Sequence, residues 1–319
     1  MAYVEERIVG MFLGHFLGDA LGAPHEFACN RNVKYTGKLE HQPFMNTAYQ
    51  GQKRLAVGQV TDDTEMTLAL LRCLIKEGGY TTGKVIEAYS EWANSGGWMM
   101  GKNTRKLFKG VGIRGYHSRY AKMLATGAIS QSNGSLMRAC PLALLKDNLP
   151  ALEDARLTNP SQINLDANLV YIHVLRQLLW GISLDIVIAS VDAAIQTNEV
   201  KEVWKQAQAR TPRDLGENKG WVLHALYCAF VALCHYESYT ELLAWVIPQV
   251  GSDSDTNAAI AGAIMGAKLG SNQLVKEQAN NISVLLGVNV NEGPTPRQAK
   301  YTLTDFNELM QATLKLASS

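Results

Sequence analysis

Hydrophobic residues recur every three or four positions through most of the chain, and few segments show the alternation typical of a strand. This spacing predicts α-helices over 4–22, 61–77, 83–94, 134–146, 163–180, 184–196, 199–210, 219–236, 238–249 and 254–268, and a last helix from Thr304 to about Ala317. The remaining segments, at 30–60, 94–104, 126–133 and 287–302, lack the composition of an interdomain linker. We therefore predict an all-α fold in which residues 1–319 form a single compact multi-helix domain.

Small residues line one face of two predicted helices. The first helix has glycine at every fourth position, at Gly10, Gly14, Gly18 and Gly22. A second stripe of small residues runs through 254–268, at Ala258, Gly262 and Gly266. Each glycine lowers helix stability by about 0.5–1 kcal/mol relative to alanine, so close packing has to offset it. We expect another backbone to approach the glycine face closely, with a chance arrangement as the alternative.

The overall composition is that of an ordinary globular protein, with 47% hydrophobic and 18% charged residues in a chain of 319. The net charge is +1 and the 30 basic residues form no run, so we expect neither a membrane nor a nucleic-acid partner. The apolar run Ile8–Leu17 is too short to cross a bilayer, which takes about 20 residues. Five cysteines without a zinc or redox spacing predict buried free thiols in a reducing compartment. We therefore predict a cytoplasmic protein.

Two acidic motifs stand at predicted helix starts. Thr61-Asp62-Asp63-Thr64 opens the second helix, where Thr61 or Asp62 would serve as the cap and Glu65 has the capping-box spacing from Asp62. Asp253-Ser254-Asp255-Thr256 repeats the arrangement far along the chain. A single aspartate at such a position is explained by capping. Adjacent carboxylates raise each other's pKa unless a cation compensates, and clustered oxygen ligands suit hard divalent cations. Together the motifs predict a metal site.

Two further segments give weaker signals. Glu26 follows the first helix in a turn set by Pro24, and it is either another carboxylate of the same cluster or a solvated loop residue. The segment Ser130–Ser135 precedes an apolar stretch, and its small residues at a predicted helix start would leave backbone amides for an anion such as phosphate. An ordinary loop with a helix cap is the alternative for that segment.

Four blocks, in chain order, resemble the ADP-ribosylglycohydrolase family, which includes dinitrogenase reductase-activating glycohydrolase and the ADP-ribosyl-acceptor hydrolases. The blocks are GHFLGDALGAPHE at 14–26, TDDT at 61–64, NGSLMR at 133–138 and GSDSDT at 251–256. The similarity extends from about residue 7 to about residue 270. Four blocks in the same order are far more specific than any one of them.

The resemblance implies an all-α fold with a binuclear Mg²⁺ or Mn²⁺ centre. The metal ligands that it implies are Thr61, Asp62, Asp63, Asp253, Asp255 and Thr256. Glu26 matches a glutamate that ligates or orients at the metal centre. The loop that cradles the ADP-ribose phosphates corresponds to Ser130, Ser132, Asn133 and Gly134.

The resemblance also implies a metal-dependent hydrolase that cleaves the glycosidic bond between ADP-ribose and an acceptor, either a protein side chain or a small adduct. Its expected partners are ADP-ribose and ADP-ribosylated proteins. Departure of the leaving group builds positive charge on the ribose ring, which nearby carboxylates would stabilise. Glu26 and Asp62 are the candidate acid or base, and the sequence does not rank them.

Positions expected to face the substrate depart from the family pattern. Ser132 replaces a glycine of many relatives, Asn159 replaces a histidine, and Met99-Met100 stands where some relatives place an aspartate. The acceptor is therefore left open between arginine, serine and other groups. Two alternatives also stay open: a relative that binds ADP-ribose or has a structural role without hydrolysis, and a two-metal phosphoesterase.

Overall fold

The computed structural model describes residues 4–28, 35–40, 55–97, 99–291 and 293–318. The α-helices are α1 Glu5–Gly22, α2 Asp62–Glu77, α3 Thr82–Asn94, α4 Lys102–Phe108, α5 Ile113–Ala125, α6 Leu149–Thr158, α7 Gln162–Leu179, α8 Leu184–Ala194, α9 Asn198–Gln208, α10 Val222–His235, α11 Tyr239–Val246, α12 Ser254–Leu269, α13 Ser271–Gly287 and α14 Phe306–Ser318. Short 3₁₀ turns lie at Ala23–His25, Asn133–Ser135, Cys140–Leu144 and Ala299–Tyr301. The described part of the chain contains no strand beyond an isolated bridge between Ser132 and Trp221, so the predicted all-α class is confirmed.

Helices α1 and α12 touch through their backbones, as the glycine stripe predicts. A Cβ atom placed on Gly14 would lie 2.2 Å from the carbonyl oxygen of Gly262. One placed on Gly18 would lie 2.3 Å from the carbonyl oxygen of Ala258. No side chain larger than hydrogen fits at such distances, so the two stripes of small residues are required by the same contact.

This contact brings the end of α1 to the start of α12. The two helices run antiparallel, since Gly10 packs on Gly266 whereas Gly22 packs on Asp255. A Cβ atom on Gly22 would lie 2.5 Å from the Cα atom of Asp255. The C-terminal turns of α1 and the acidic motif of α12 therefore occupy the same end of the helix pair.

The start of α2 is attached to α1 through Asp19. The Oδ2 atom of Asp19 accepts hydrogen bonds from the backbone amides of Thr61 (3.0 Å) and Thr64 (3.1 Å). Thr61 occupies the N-cap position, but its side chain makes no capping bond. The predicted capping box is wrong, because a carboxylate from another helix satisfies these amides and Glu65 bonds to Arg297 instead.

The predicted helix over 134–146 is also wrong, since only two 3₁₀ turns form there. The Nη1 atom of Arg138 donates a hydrogen bond to the carbonyl oxygen of Gly134 at 2.7 Å, so a side chain occupies an acceptor that an α-helix would use. Pro141 has no amide hydrogen and cannot continue an α-helical ladder. The periodicity did not predict α4, α5, α6 or α13, and the last of these is kinked at Gln278.

One hydrophobic cluster connects the helices from Ile8 to Ala317, which gives a single compact domain. No described helix has the length and hydropathy needed to cross a bilayer. Cys73, Cys140, Cys228 and Cys234 are free thiols, and Cys29 lies outside the described residues.

Candidate active site

Two trios of carboxylates form where α1, α2 and α12 meet. In one trio, oxygen atoms of Asp19, Asp63 and Asp255 lie within 4.8 Å of one another. In the other, Glu26 and Asp253 come equally close to Asp255. All five residues are buried, and Asp255 belongs to both trios. The two acidic motifs, far apart in sequence, therefore meet at one place.

Asp19 is a site residue that the motif analysis did not assign. It is fully buried in α1, among the small and apolar residues that face α12. The sequence did contain a signal, because Asp19 is the only acidic residue in the apolar stretch 8–22. A carboxylate buried in an apolar helix needs hydrogen-bond donors or a cation, and this requirement indicates that Asp19 is a candidate site residue.

Five buried aspartates at this place repel one another: Asp19, Asp62, Asp63, Asp253 and Asp255. Burial raises the pKa of Asp62, and the charges of Asp63 and Glu26 raise it further. Burial likewise raises the pKa of Asp63 and Asp255, with repulsion from Asp19 and Asp253 added. Burial also raises the pKa of Asp19 and Asp253, and the hydrogen bonds to these two carboxylates oppose this rise only in part. None of the five aspartates forms a salt bridge with a described lysine, arginine or histidine.

The residues at this site fit hard divalent cations. Every side-chain donor in the two trios is a carboxylate oxygen, which is the ligand type that Mg²⁺, Mn²⁺ and Ca²⁺ prefer. The Oδ1 atom of Asp63 is buried and has no hydrogen-bond partner among the described residues. The hydroxyl of Thr61 donates its proton to Asp19 at 2.6 Å, so the lone pairs of this oxygen are not used by that bond. Thr256 lies beside Asp63 and Asp253, with which its side chain interacts.

Asp62 differs from its neighbour because it belongs to neither trio. It is the first residue of α2, where the helix dipole favours a carboxylate. The amide of Gly101 points to its Oδ2 atom at 3.4 Å, and the side chain faces the adjoining cleft. Glu26 lines the same cleft, so both candidate acid–base residues border the space that a substrate would occupy.

The cleft has a volume of about 450 Å³, within the range typical of small-molecule sites. One end is formed by the acidic residues Glu26, Asp62, Asp253 and Asp255, together with Thr256. The other walls are the loop 99–104, the pair Lys219-Gly220, and the four predicted phosphate-loop residues Ser130, Ser132, Asn133 and Gly134. The acidic cluster and the predicted phosphate loop thus face one cavity.

The loop over 130–134 is held by its own polar groups. The amide of Asn133 donates to the carbonyl oxygen of Gly220 at 2.8 Å, and the amide of Ser132 donates to the hydroxyl of Ser130 at 3.2 Å. These two amides are therefore engaged within the protein, and only a 3₁₀ turn follows them rather than the predicted helix start. The side chain of Asn133 donates to Asp253 Oδ2 at 2.8 Å, which connects the loop to the acidic cluster.

Asn159, which stands where many relatives carry histidine, supports this loop from behind. It is fully buried, and its Nδ2 atom donates to the carbonyl oxygen of Ser130 at 3.1 Å and to the hydroxyl of Ser132 at 3.2 Å. Its Oδ1 atom accepts a hydrogen bond from Thr158. The amide of Asn159 therefore holds the two serines of the cleft wall in place.

Strained backbone concentrates around the cleft. Four described non-glycine residues have positive φ values, and Phe27 (52°) and Met99 (64°) both line the cavity. A third, Asn218 (52°), immediately precedes Lys219 in the wall. The Nζ atom of Lys219 lies 5.4 Å from the centre of the Phe27 ring. Left-handed backbone at such residues persists only where the surrounding structure holds it, and it is common at binding sites.

His15 lies one turn before Asp19 on α1 and is fully buried. Its Nε2 atom is 3.2 Å from the hydroxyl of Thr67 on α2. Burial lowers the pKa of His15 to about 4. The imidazole is therefore neutral near pH 7 and adds no positive charge to the acidic cluster.

Comparison with known proteins agrees with this arrangement. The chain is 27% identical over 276 residues to the ADP-ribosyl-[dinitrogen reductase] glycohydrolase of Rhodospirillum rubrum, a match that covers 84% of this chain and 87% of that protein. It is 22% identical over 294 residues to the ADP-ribosylarginine hydrolase Tri1 of Pseudomonas putida (strain GB-1), covering 87% and 74% of the two chains. A solved structure described as an ADP-ribosylglycohydrolase-related protein complex has the same fold, with a TM-score of 0.70, 22% identity and 98% of both chains covered.

The family model described as ADP-ribosylglycohydrolase matches residues 2–288, which include both acidic motifs and the whole candidate site. Helix α14 and the segment before it lie beyond the match. The chain belongs to the ADP-ribosylglycohydrolase family.

Proposed function

We propose that this protein is a metal-dependent hydrolase that cleaves the glycosidic bond between ADP-ribose and an acceptor, using two Mg²⁺ or Mn²⁺ ions. The observation that carries the proposal is the pair of buried carboxylate trios that share Asp255 beside a cleft of suitable size. The names of the relatives and of the family support ADP-ribose as the group released.

The residues divide into groups with separate tasks. Asp19, Asp63 and Asp255 would hold one cation, and Glu26, Asp253 and Asp255 the other. The hydroxyls of Thr61 and Thr256 would complete the ligand sets. When bound, the cations supply Lewis acidity and compensate the negative charge of the cluster.

The cleft residues would bind and orient the substrate. The walls at Ser130, Ser132, Asn133 and Gly134 would accommodate the diphosphate and set the ribose against the acidic end. Positive charge that develops on the ribose ring would be stabilised by the carboxylates at that end. Since Glu26 belongs to a trio whereas Asp62 does not, Asp62 is the better candidate to exchange a proton with the water or the leaving group.

The substitution Asp255→Ala tests the proposal because it removes the carboxylate common to both trios. We expect loss of Mg²⁺ and Mn²⁺ binding by isothermal titration calorimetry, and a fall in ADP-ribose release of at least roughly 10²–10³-fold, the size that removal of a key electrostatic contact produces. Far-UV circular dichroism is expected to stay nearly unchanged. Asp192→Ala, at an exposed position of α8, is the matched control. Turnover at the wild-type rate in Asp255→Ala would contradict the proposal.

ADP-ribosylarginine is the first acceptor to test, because one relative is named as a hydrolase of that compound. ADP-ribosylserine and O-acyl-ADP-ribose extend the panel. If the wild-type protein binds metal and ADP-ribose but releases nothing from any of these, the family member is a binding protein and the hydrolase proposal is wrong. The four free thiols agree with a reducing, cytoplasmic location, which we include in the proposal.

A further inference from the structure

Positive charge is distributed unevenly along the chain. The segment 92–146 contains nine of the 30 lysines and arginines and none of the 29 acidic residues. The basic residues are spread along this segment and do not form a continuous run. The asymmetry comes from the absence of aspartate and glutamate. The fold gathers most of these cations on α4 and α5, next to the candidate active site.

A second cleft lies between α4 and α5. It has a volume of about 550 Å³, and its apolar surface includes Leu107, Met123 and Ile129. The basic residues that line it are Lys102, Lys106, Arg119 and Lys122. It shares Lys102, Asn103 and Ser130 with the substrate cleft, so the two cavities adjoin.

The lysines of this second cleft are available to an external anion. Lys102, Lys106 and Lys122 are exposed, and none of them forms a salt bridge within the described ranges. Arg119 has a different role, since its Nη1 atom donates to the carbonyl oxygens of Lys106 (3.1 Å) and Lys109 (2.7 Å). Arg119 thus fastens α5 to the end of α4 and holds the three ammonium groups around one cavity.

The composition of this cleft distinguishes between possible anionic partners. Proteins that bind single-stranded nucleic acids stack the bases on aromatic side chains, and no aromatic residue is among those that line this cleft. Lysines around an apolar floor suit a peptide that combines acidic residues with an apolar side chain. We propose that the α4–α5 cleft docks an acidic segment of the substrate protein, next to its ADP-ribosylated side chain. This inference rests on the proposed hydrolase function.

The test compares two ADP-ribosylarginine peptides that differ only in their flanking residues, which are glutamate in one and glutamine in the other. We expect kcat/KM for the glutamate peptide to be about tenfold higher at low salt, equivalent to ~1.4 kcal/mol. The advantage should diminish as NaCl is raised, because salt screens exposed charges. The double variant Lys106→Glu/Lys122→Glu should remove it and leave hydrolysis of free ADP-ribosylarginine unchanged. Lys201→Glu/Lys276→Glu, at exposed positions of α9 and α13, is the matched control and should keep the advantage.

Equal kcat/KM values for the two peptides in the wild-type protein would overturn the docking proposal. It would also be overturned if a single-stranded DNA oligonucleotide, measured by fluorescence anisotropy, bound more tightly than the glutamate peptide and lost binding in the Lys106/Lys122 variant. Failure to hydrolyse free ADP-ribosylarginine is a separate result that counts against this acceptor in the proposed function. Docking is then measured alone, as tighter binding of the unmodified glutamate peptide than of the glutamine peptide, and equal binding rejects it.

Discussion

Buried carboxylates occupy two contrasting kinds of surroundings in this protein. Asp154 and Glu65 each face a buried guanidinium from the chain itself, whereas the five aspartates of the candidate active site face one another. Both groups are almost completely removed from water. The difference is therefore in charge compensation rather than in burial.

Asp154 belongs to a closed network with Arg138 and Tyr89. The Nε atom of Arg138 lies 2.9 Å from Asp154 Oδ2, and the hydroxyl of Tyr89 donates to Oδ1 at 2.8 Å. Arg138 also donates to the carbonyl oxygen of Gly134, so this network supports the turn of the predicted phosphate loop. Burial raises the pKa of Asp154, while Arg138 lowers it.

Glu65 has an equally complete set of partners. It accepts hydrogen bonds from Arg297 at 2.6 and 2.7 Å and from the indole nitrogen of Trp92 at 2.7 Å. Yet Glu65 is only two residues from Asp63, which has a buried oxygen without a hydrogen-bond partner in the described structure. Along one helix turn, the chain supplies a guanidinium for Glu65, whereas no described lysine or arginine forms a salt bridge with Asp63. This contrast separates structural carboxylates from candidate ligands.

Removal of a built-in cation should produce the largest effect on stability. In Arg138→Met, Asp154 stays buried without its partner, and we expect the free energy of unfolding to fall by about 3–5 kcal/mol. Urea denaturation followed by circular dichroism measures it. Arg72→Met is the control, because the Arg72–Asp305 pair is partly exposed and should contribute no more than about 1 kcal/mol. Similar losses in the two variants would show that the buried pair has no special weight.

The aspartate cluster should instead make the metal-free protein less stable as pH rises. The pKa values of these carboxyls are raised in the folded state, so above about pH 4 these groups bind more protons in the folded protein than in the unfolded chain. Stability should therefore decrease with increasing pH, by about 1.4 kcal/mol for each unit by which one group's pKa is raised. Thermal unfolding in EDTA between about pH 7 and 8.5 measures this trend, above the range in which buried His15, with its pKa lowered to about 4, makes stability rise with pH. Saturating Mg²⁺ or Mn²⁺ should flatten it, and a stability that rises with pH in EDTA would contradict the prediction.

A smaller effect of opposite sign to that of Arg138→Met is expected for Asp62→Asn. This change removes one of the mutually repelling charges while keeping the side-chain shape, and it should stabilise the metal-free protein by about 1 kcal/mol. In Arg138→Met and Asp62→Asn, loss of a charged group thus has opposite consequences. Urea titrations in EDTA provide the comparison, with Asp192→Asn as an exposed control. Destabilisation by Asp62→Asn would mean that the cluster is compensated within the protein.

Local patterns predicted some parts of this architecture better than others. The glycine stripe correctly predicted a close backbone contact, because glycine at every fourth position from Gly10 to Gly22 clears one helix face of side chains. The capping box was wrong, since Asp19 reaches the amides of α2 from another helix and no pattern within 61–65 records this. The predicted helix over 134–146 was wrong for a similar reason. Arg138 forms hydrogen bonds with Asp154 and with the carbonyl oxygen of Gly134, and the spacing of the apolar residues does not record these contacts. The expected ligand set came from resemblance, and Asp19 joined the carboxylate cluster only once the packing of the helices was known.

The contact between α1 and α12 also has a consequence for the proposed metal site. Because Gly14 meets Gly262 and Gly18 meets Ala258 through main-chain atoms, the separation of the Cα atoms of Asp19 and Asp255 is set by main-chain packing and not by the size of intervening side chains. Peptide dimensions are the same in every sequence, so exchanges of core side chains elsewhere should leave this separation unchanged. If the proposed cations bind there, a different ionic radius would have to be met by the torsions of the aspartate side chains or by replacing a ligand, since the two helices offer no adjustable spacer.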